Sequence, residues 1–124
     1  MERHILVLED EEEISTLITI ILSHAGFQVS CFPTLRQATN ALQNQTFSLA
    51  LIDANMPDGT SFDLIKMLKK TSCEVILMSG NLESFHSLNF QEYLTLEKPF
   101  RIQNLLSVIE QAEKKRPTSS PLSP

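Results

Sequence analysis

Residues 48–62 read SLALIDANMPDGTSF, an apolar run that stops on Asp53 and then turns through Asn55, Pro57 and Gly59. Phe47 precedes the run. Leu49, Ala50, Leu51 and Ile52 show no polar alternation, so both faces of this strand are expected to be covered, as in a parallel sheet flanked by helices. The turn residues close it sharply. A carboxylate at that point sits at the carboxyl end of a central strand, the edge where open α/β sheets place their ligands. An Asp there also suits a plain turn or helix cap, so its meaning depends on what else the chain brings to that edge.

Outward from this strand, apolar runs alternate with helical spacings. HILVL (4–8) is a first strand that empties into EDEEE (9–13). Ile14, Leu17, Ile18, Ile21, Leu22 and Ala25 recur at helical intervals and Gly26 supplies a stop, which predicts an amphipathic helix over 12–25. FQVSCF (27–32) is a second strand. Pro33 and Thr34 open a helix with Ala38, Ala41 and Leu42 inward, reaching about Asn44. After the third strand, FSLALID (47–53), SFDLIKMLKK (61–70) predicts a helix with Phe62, Ile65 and Leu68 on one face. EVILM (74–78) is a fourth strand, and Leu82 to Asn89, with Leu82, Phe85 and Leu88, a short or irregular fourth helix. EYLTL (92–96) is a fifth strand and RIQNLLSVIEQAEKK (101–115) a last helix with Ile102, Leu105, Leu106 and Ile109 inward. Five strands alternating with five helices indicate an α/β fold, a doubly wound parallel sheet with helices on both faces. The segment RPTSSPLSP (116–124) holds three Pro and three Ser, reads as a flexible linker or tail, and leaves residues 1–115 as the folded domain.

Composition narrows the class. At 124 residues the chain is one domain with room for a sizeable core, and 42% hydrophobic with 20% charged residues is an ordinary globular balance. The apolar runs fall short of a bilayer, and no signal-peptide pattern opens the chain, so a cytoplasmic protein without membrane contact is expected. A net charge of −5 argues against direct nucleic-acid binding. Cys31 and Cys73 have no metal-ligand spacing around them and read as buried small hydrophobes in a reducing compartment. His4, His24 and His86 are scattered, and Met56, Met67 and Met78 read as gap-filling residues.

In such a sheet every strand ends on the same edge. The first strand delivers Glu9, Asp10 and Glu11 there, the third Asp53, the fourth Ser79 from MSG, and the fifth Lys98 from EKPF. Singly these are a solvated helix start, a turn and a surface charge. Carboxylates brought together resist ionising unless a cation sits among them, and hard oxygen ligands completed by water suit Mg²⁺. A carboxylate beside a divalent cation, an ammonium and a hydroxyl can accept a phosphoryl group, because those partners neutralise its equatorial oxygens.

The ordered pieces ILVLEDEE, LALIDANMPDG, VILMSG and EKPF resemble the receiver domains of two-component response regulators over about residues 3–115. The resemblance implies a flavodoxin-like fold with strand order 2-1-3-4-5. It further implies that Asp53 takes phosphate, with Mg²⁺, from a phosphohistidine on a sensor histidine kinase or histidine phosphotransfer protein. Asp53 matches the phosphoacceptor and Asp10 the direct Mg²⁺ ligand. Glu9 takes the first acidic position and acts through water, and the carbonyl of Asn55 completes the metal shell. Ser79 matches the switch hydroxyl and Lys98 the lysine that pairs with the phosphate, with a cis bond expected before Pro99. Asn55 and Asn81 fall where family members tune the lifetime of the acyl phosphate. A downstream output domain or partner, and a homodimer on phosphorylation, are further expectations.

Three places depart from the family pattern. Ser79 and Lys98 are only 19 residues apart, with NFQEY where a small pair is usual before the fifth strand. Thr95 stands where the switch aromatic is common, with Tyr93 two residues earlier, and Ser61 where PDGxG variants have a second Gly. The first two motivate an alternative reading as an interaction module that no longer switches. An aspartyl phosphatase is disfavoured because Asn55 stands where such enzymes place a second Asp, and a dinucleotide-binding enzyme because the first turn is acidic where Gly is needed. The expectation is thus a phosphoacceptor signalling domain whose self-catalysis is limited to gaining and losing its own phosphoryl group.

Overall fold

The computed structural model describes residues 3–81 and 93–115. Five parallel strands, β1 (His4–Leu8), β2 (Gln28–Phe32), β3 (Leu49–Asp53), β6 (Glu74–Ser79) and β7 (Leu94–Glu97), form one sheet in the order β2-β1-β3-β6-β7. Counting only strands of this sheet, that is the expected 2-1-3-4-5. β4 (Asn55–Met56) and β5 (Gly59–Thr60) make a separate two-stranded antiparallel ribbon after β3, which apolar patterning did not signal. Gly59, at φ 136°, supplies the backbone turn that a side chain would resist.

Alternate residues of each strand feed opposite faces of the sheet. Ile5, Val7, Leu49, Leu51, Ile76 and Met78 pack with Ile18 and Leu22 of α1 (Glu12–His24) and Leu105, Val108 and Ile109 of α4 (Ile102–Lys115). Leu6, Leu8, Ala50, Ile52 and Leu77 pack with Ala38 of α2 (Leu35–Ala41) and Leu64, Ile65 and Leu68 of α3 (Phe62–Lys69). β3 is buried along its whole length because it has a strand on each side and helices on each face, as its unbroken apolar run requires.

The helix faces differ in part from their expected phase. Leu17 is 44% exposed, Phe62 44% and Ile102 52%, Ala25 caps the end of α1 in solvent, and Leu106 is also exposed. Leu64 in α3, and Val108 and Ala112 in α4, occupy the inward positions instead. Each helix carried more apolar residues than one sheet contact can cover, and its rotation, which packing decides, selects among them. α2 ends at Ala41, with residues 42–44 in a turn. Cys73 is buried, whereas Cys31 is only partly buried, with Sγ 3.1 Å from Thr19 Oγ1; neither forms a disulfide. The expected fourth helix lies outside the described residues.

Candidate functional site

The register of the sheet brings four strand ends level. Leu8 pairs with Ile52, Asp53 with Met78, and Ser79 with Glu97, so the residues at or just past these positions stand side by side. Glu9 follows β1 directly and its backbone N–H still donates to Phe32 O at 3.1 Å. Asp53 closes β3, Ser79 closes β6, and Lys98 follows β7, its own N–H donating to Ser79 O at 2.9 Å. The Lys98–Pro99 bond is cis.

The charged groups form one cluster. Lys98 Nζ lies 2.7 Å from Glu9 Oε1 and 2.8 Å from Asp53 Oδ2, with both carboxylates buried. Carboxylate oxygens of Glu9, Asp10 and Asp53 all fall within 4.8 Å of one another, Asp10 on the solvent side. Glu9 Oε2 accepts the Glu11 N–H at 3.1 Å and Asp53 Oδ1 the Asn55 N–H at 3.0 Å. Burial pushes the Glu9 carboxyl above its ordinary range; Lys98 and the Glu11 amide oppose this, and the charge of Asp53 adds to it. Burial works to lower Lys98, but its contacts with Asp53 and Glu9 outweigh that and raise it, so its ammonium is held in place as a cation.

Three carboxylates against one ammonium leave two negative charges, which a divalent cation would balance. Glu9 Oε1 is buried and, among the described residues, is met by the Lys98 ammonium alone, which it shares with Asp53. An all-oxygen donor set with one exposed side, open to water, fits Mg²⁺ better than a softer metal. Glu9, Asp10 and Asp53 are thus brought together with Lys98, as the strand-end reasoning expected. Ser79 is buried beside them, but its hydroxyl turns to its own loop, donating to Asn81 O and accepting the Asn81 N–H, each at 2.9 Å. Asn55 lies in β4 next to Asp53, with its N–H on that carboxylate.

Two residues at this edge make contacts that were not foreseen. Asp58 accepts the N–H groups of Leu35 and Arg36 at 3.2 and 3.4 Å, tying the loop after β3 to the start of α2. Ser61, fully buried, donates from Oγ to Asp53 O at 2.6 Å. In sequence both pass for turn and cap residues, and the partners, 23 and eight residues away, are visible only once the chain is folded.

The family model of the response regulator receiver domain matches residues 5–110. The chain belongs to the response regulator receiver domain family. This receiver domain is 32% identical over 106 residues to the regulatory protein VanRc of Enterococcus gallinarum, covering 81% of this chain and 45% of that one. The receiver domain spans about half or less of the length of the curated relatives it matches. Among solved structures it resembles a receiver domain protein (CheY-like) from Methanospirillum hungatei, with a TM-score of 0.81 at 27% identity, covering 92% of this chain and 96% of that one. The response regulator protein TrrA from Thermotoga maritima, solved in complex with Mg²⁺–BeF, shares the fold with a TM-score of 0.79 at 19% identity, covering 89% and 98% of the two chains. The fold expected from the alternating strands and helices, and the family that the four ordered motifs resemble, are therefore those found.

Proposed function

We propose that this receiver domain accepts a phosphoryl group on Asp53 from a phosphohistidine of a sensor histidine kinase or histidine phosphotransfer protein. The observation that carries the reading is Lys98 Nζ held between Glu9 and Asp53 with Asp10 alongside. An Asp53 carboxylate oxygen attacks phosphorus, the bond from phosphorus to the donor nitrogen breaks, and the electron pair leaves on the imidazole. Lys98, already on Asp53 Oδ2, is placed to pair with a phosphoryl oxygen. Ser79 would exchange its Asn81 contacts for another, which couples the site to the loop after β6. Asp10, Asp53 and the Asn55 carbonyl, with Glu9 through water, would hold Mg²⁺, which supplies charge neutralisation at the phosphoryl oxygens. The Mg²⁺–BeF complex of a protein of the same fold supports that cofactor.

The receiver unit is proposed to span residues 1–115, with 116–124 as a linker, acting in the cytoplasm. No helix among the described residues is long and apolar enough to cross a membrane. The longer curated relatives, several titled transcriptional regulators, support an output partner or domain downstream of the switch. A second reading, a docking module that no longer switches, is favoured by Thr95, an exposed residue on β7 at the position where an aromatic is common.

Intact mass after incubation with Mg²⁺ and acetyl phosphate separates the two. The expected result is a gain of one phosphoryl group by the wild type, none by Asp53→Asn, and none without metal. No gain by a wild type shown to bind Mg²⁺ would favour docking alone.

A further inference from the structure

We infer that Ser61 is a positioning residue for the phosphoacceptor: its hydroxyl fixes the backbone of Asp53, and with it the direction of the attacking carboxylate. This rests on the reading of Asp53 given above. Ser61 immediately precedes α3, where a Ser normally turns its oxygen to the first amides of the helix. Here it makes no such cap, although its own carbonyl starts the helix by accepting the Ile65 N–H at 2.9 Å. The hydroxyl is spent on Asp53 O instead, at 2.6 Å and with Ser61 0% exposed.

The consequence lies in what is attached to that carbonyl. The Asp53–Ala54 peptide has its oxygen held by Ser61 and its N–H donated to Met78 O at 2.8 Å, so the peptide plane is gripped from α3 on one side and β6 on the other. The Asn55 N–H then fixes the carboxylate itself through Oδ1. Asp53 is therefore clamped beyond what the strand ladder supplies, at the residue whose displacement most affects reactivity. A Gly at position 61 would leave Asp53 O without this donor, so the clamp is a property of this chain's own residue.

The test compares wild type, Ser61→Ala, Ser61→Gly and Ser61→Thr, following phosphorylation by acetyl phosphate at saturating Mg²⁺ by intact mass, with thermal melts on the same samples. Ala and Gly are expected to lower the maximal rate by about tenfold, as a small misplacement of a reacting group does, with half-saturation by acetyl phosphate unchanged. Ser61→Thr keeps the hydroxyl and is expected to restore the rate even though its extra methyl, in a fully buried site, lowers the melting temperature. A purely structural role predicts that rate follows melting temperature across the four proteins, and that result overturns the inference. Equal rates for wild type, Ala and Gly overturn it too, leaving the phosphoacceptor reading intact. A wild type that gains no phosphoryl group overturns that reading and the inference with it.

Discussion

Glu9 shows how much of the site was written in residue types and how much needed the fold. Its place at the end of an apolar strand, beside Asp10, was legible, because strand ends in a parallel sheet converge wherever the strands lie. Its burial was not, since EDEEE looks uniformly solvated in sequence. That burial raises its proton affinity, and the sign of the effect on stability is fixed. From its ordinary 4.5 up to the raised value the folded chain holds a proton that the unfolded chain releases, so stability falls as pH rises through that window. In chelator at pH 7, Glu9→Gln is expected to melt at a higher temperature than wild type, with the gap closing as pH falls toward 4.5. Added Mg²⁺ is expected to narrow the gap by stabilising the wild type more. Melts from pH 4 to 8 check both. Ser61 lies at the other extreme: nothing in GTSF distinguishes a hydroxyl that caps a helix from one that reaches back to Asp53, because the distinction is a rotamer set by tertiary packing.

Among the elements, the strands were the most legible. β1, β3 and β6 are buried on both faces, so their apolar runs carry no phase to misread. Helices lie on a boundary between sheet and water, and a few tens of degrees of rotation exchange one flanking apolar residue for another. In α1, Ile18 and Leu17 are adjacent and both aliphatic, yet Ile18 is buried in the sheet contact and Leu17 is not. Ile18→Ala is therefore expected to cost about 2–5 kcal/mol and Leu17→Ala about 0.5 kcal/mol or less. Urea unfolding of the two variants is the check, and equal losses would place the helix in a different rotation. The β4–β5 ribbon was missed because two-residue strands have no periodicity to detect; Pro57, Asp58 and Gly59 announced only a turn.

For the whole molecule, the cluster at the sheet edge links folding to ligand binding. Glu9 and Asp10 stand more than forty residues of chain from Asp53 and meet it only in the folded state, so a cation that binds all three binds the native form alone. Mg²⁺ at a hundredfold excess over its Kd is expected to add about 2.7 kcal/mol to stability, raising Tm by roughly ten degrees for a chain of this size. Calorimetry with Mg²⁺ and with chelator measures this directly. An unchanged Tm at millimolar Mg²⁺ would argue against the metal site.

Legible in one dimension were the alternation of buried strands and helices, the sheet order that follows for this family, and the identity of the acidic, hydroxyl and lysine residues that stand at the strand ends. Those are one-dimensional facts: an apolar run needs cover on both faces, and its terminus falls where the run stops. Folding in three dimensions was needed to set which face each helix turned inward, that Lys98 is shared between Glu9 and Asp53, that Ser79 points to Asn81, that Asp58 ties the loop after β3 to α2, and that Ser61 ties the start of α3 back to Asp53. Each of those depends on rotations and side-chain directions that local spacing leaves free, and packing between distant segments selects one of them.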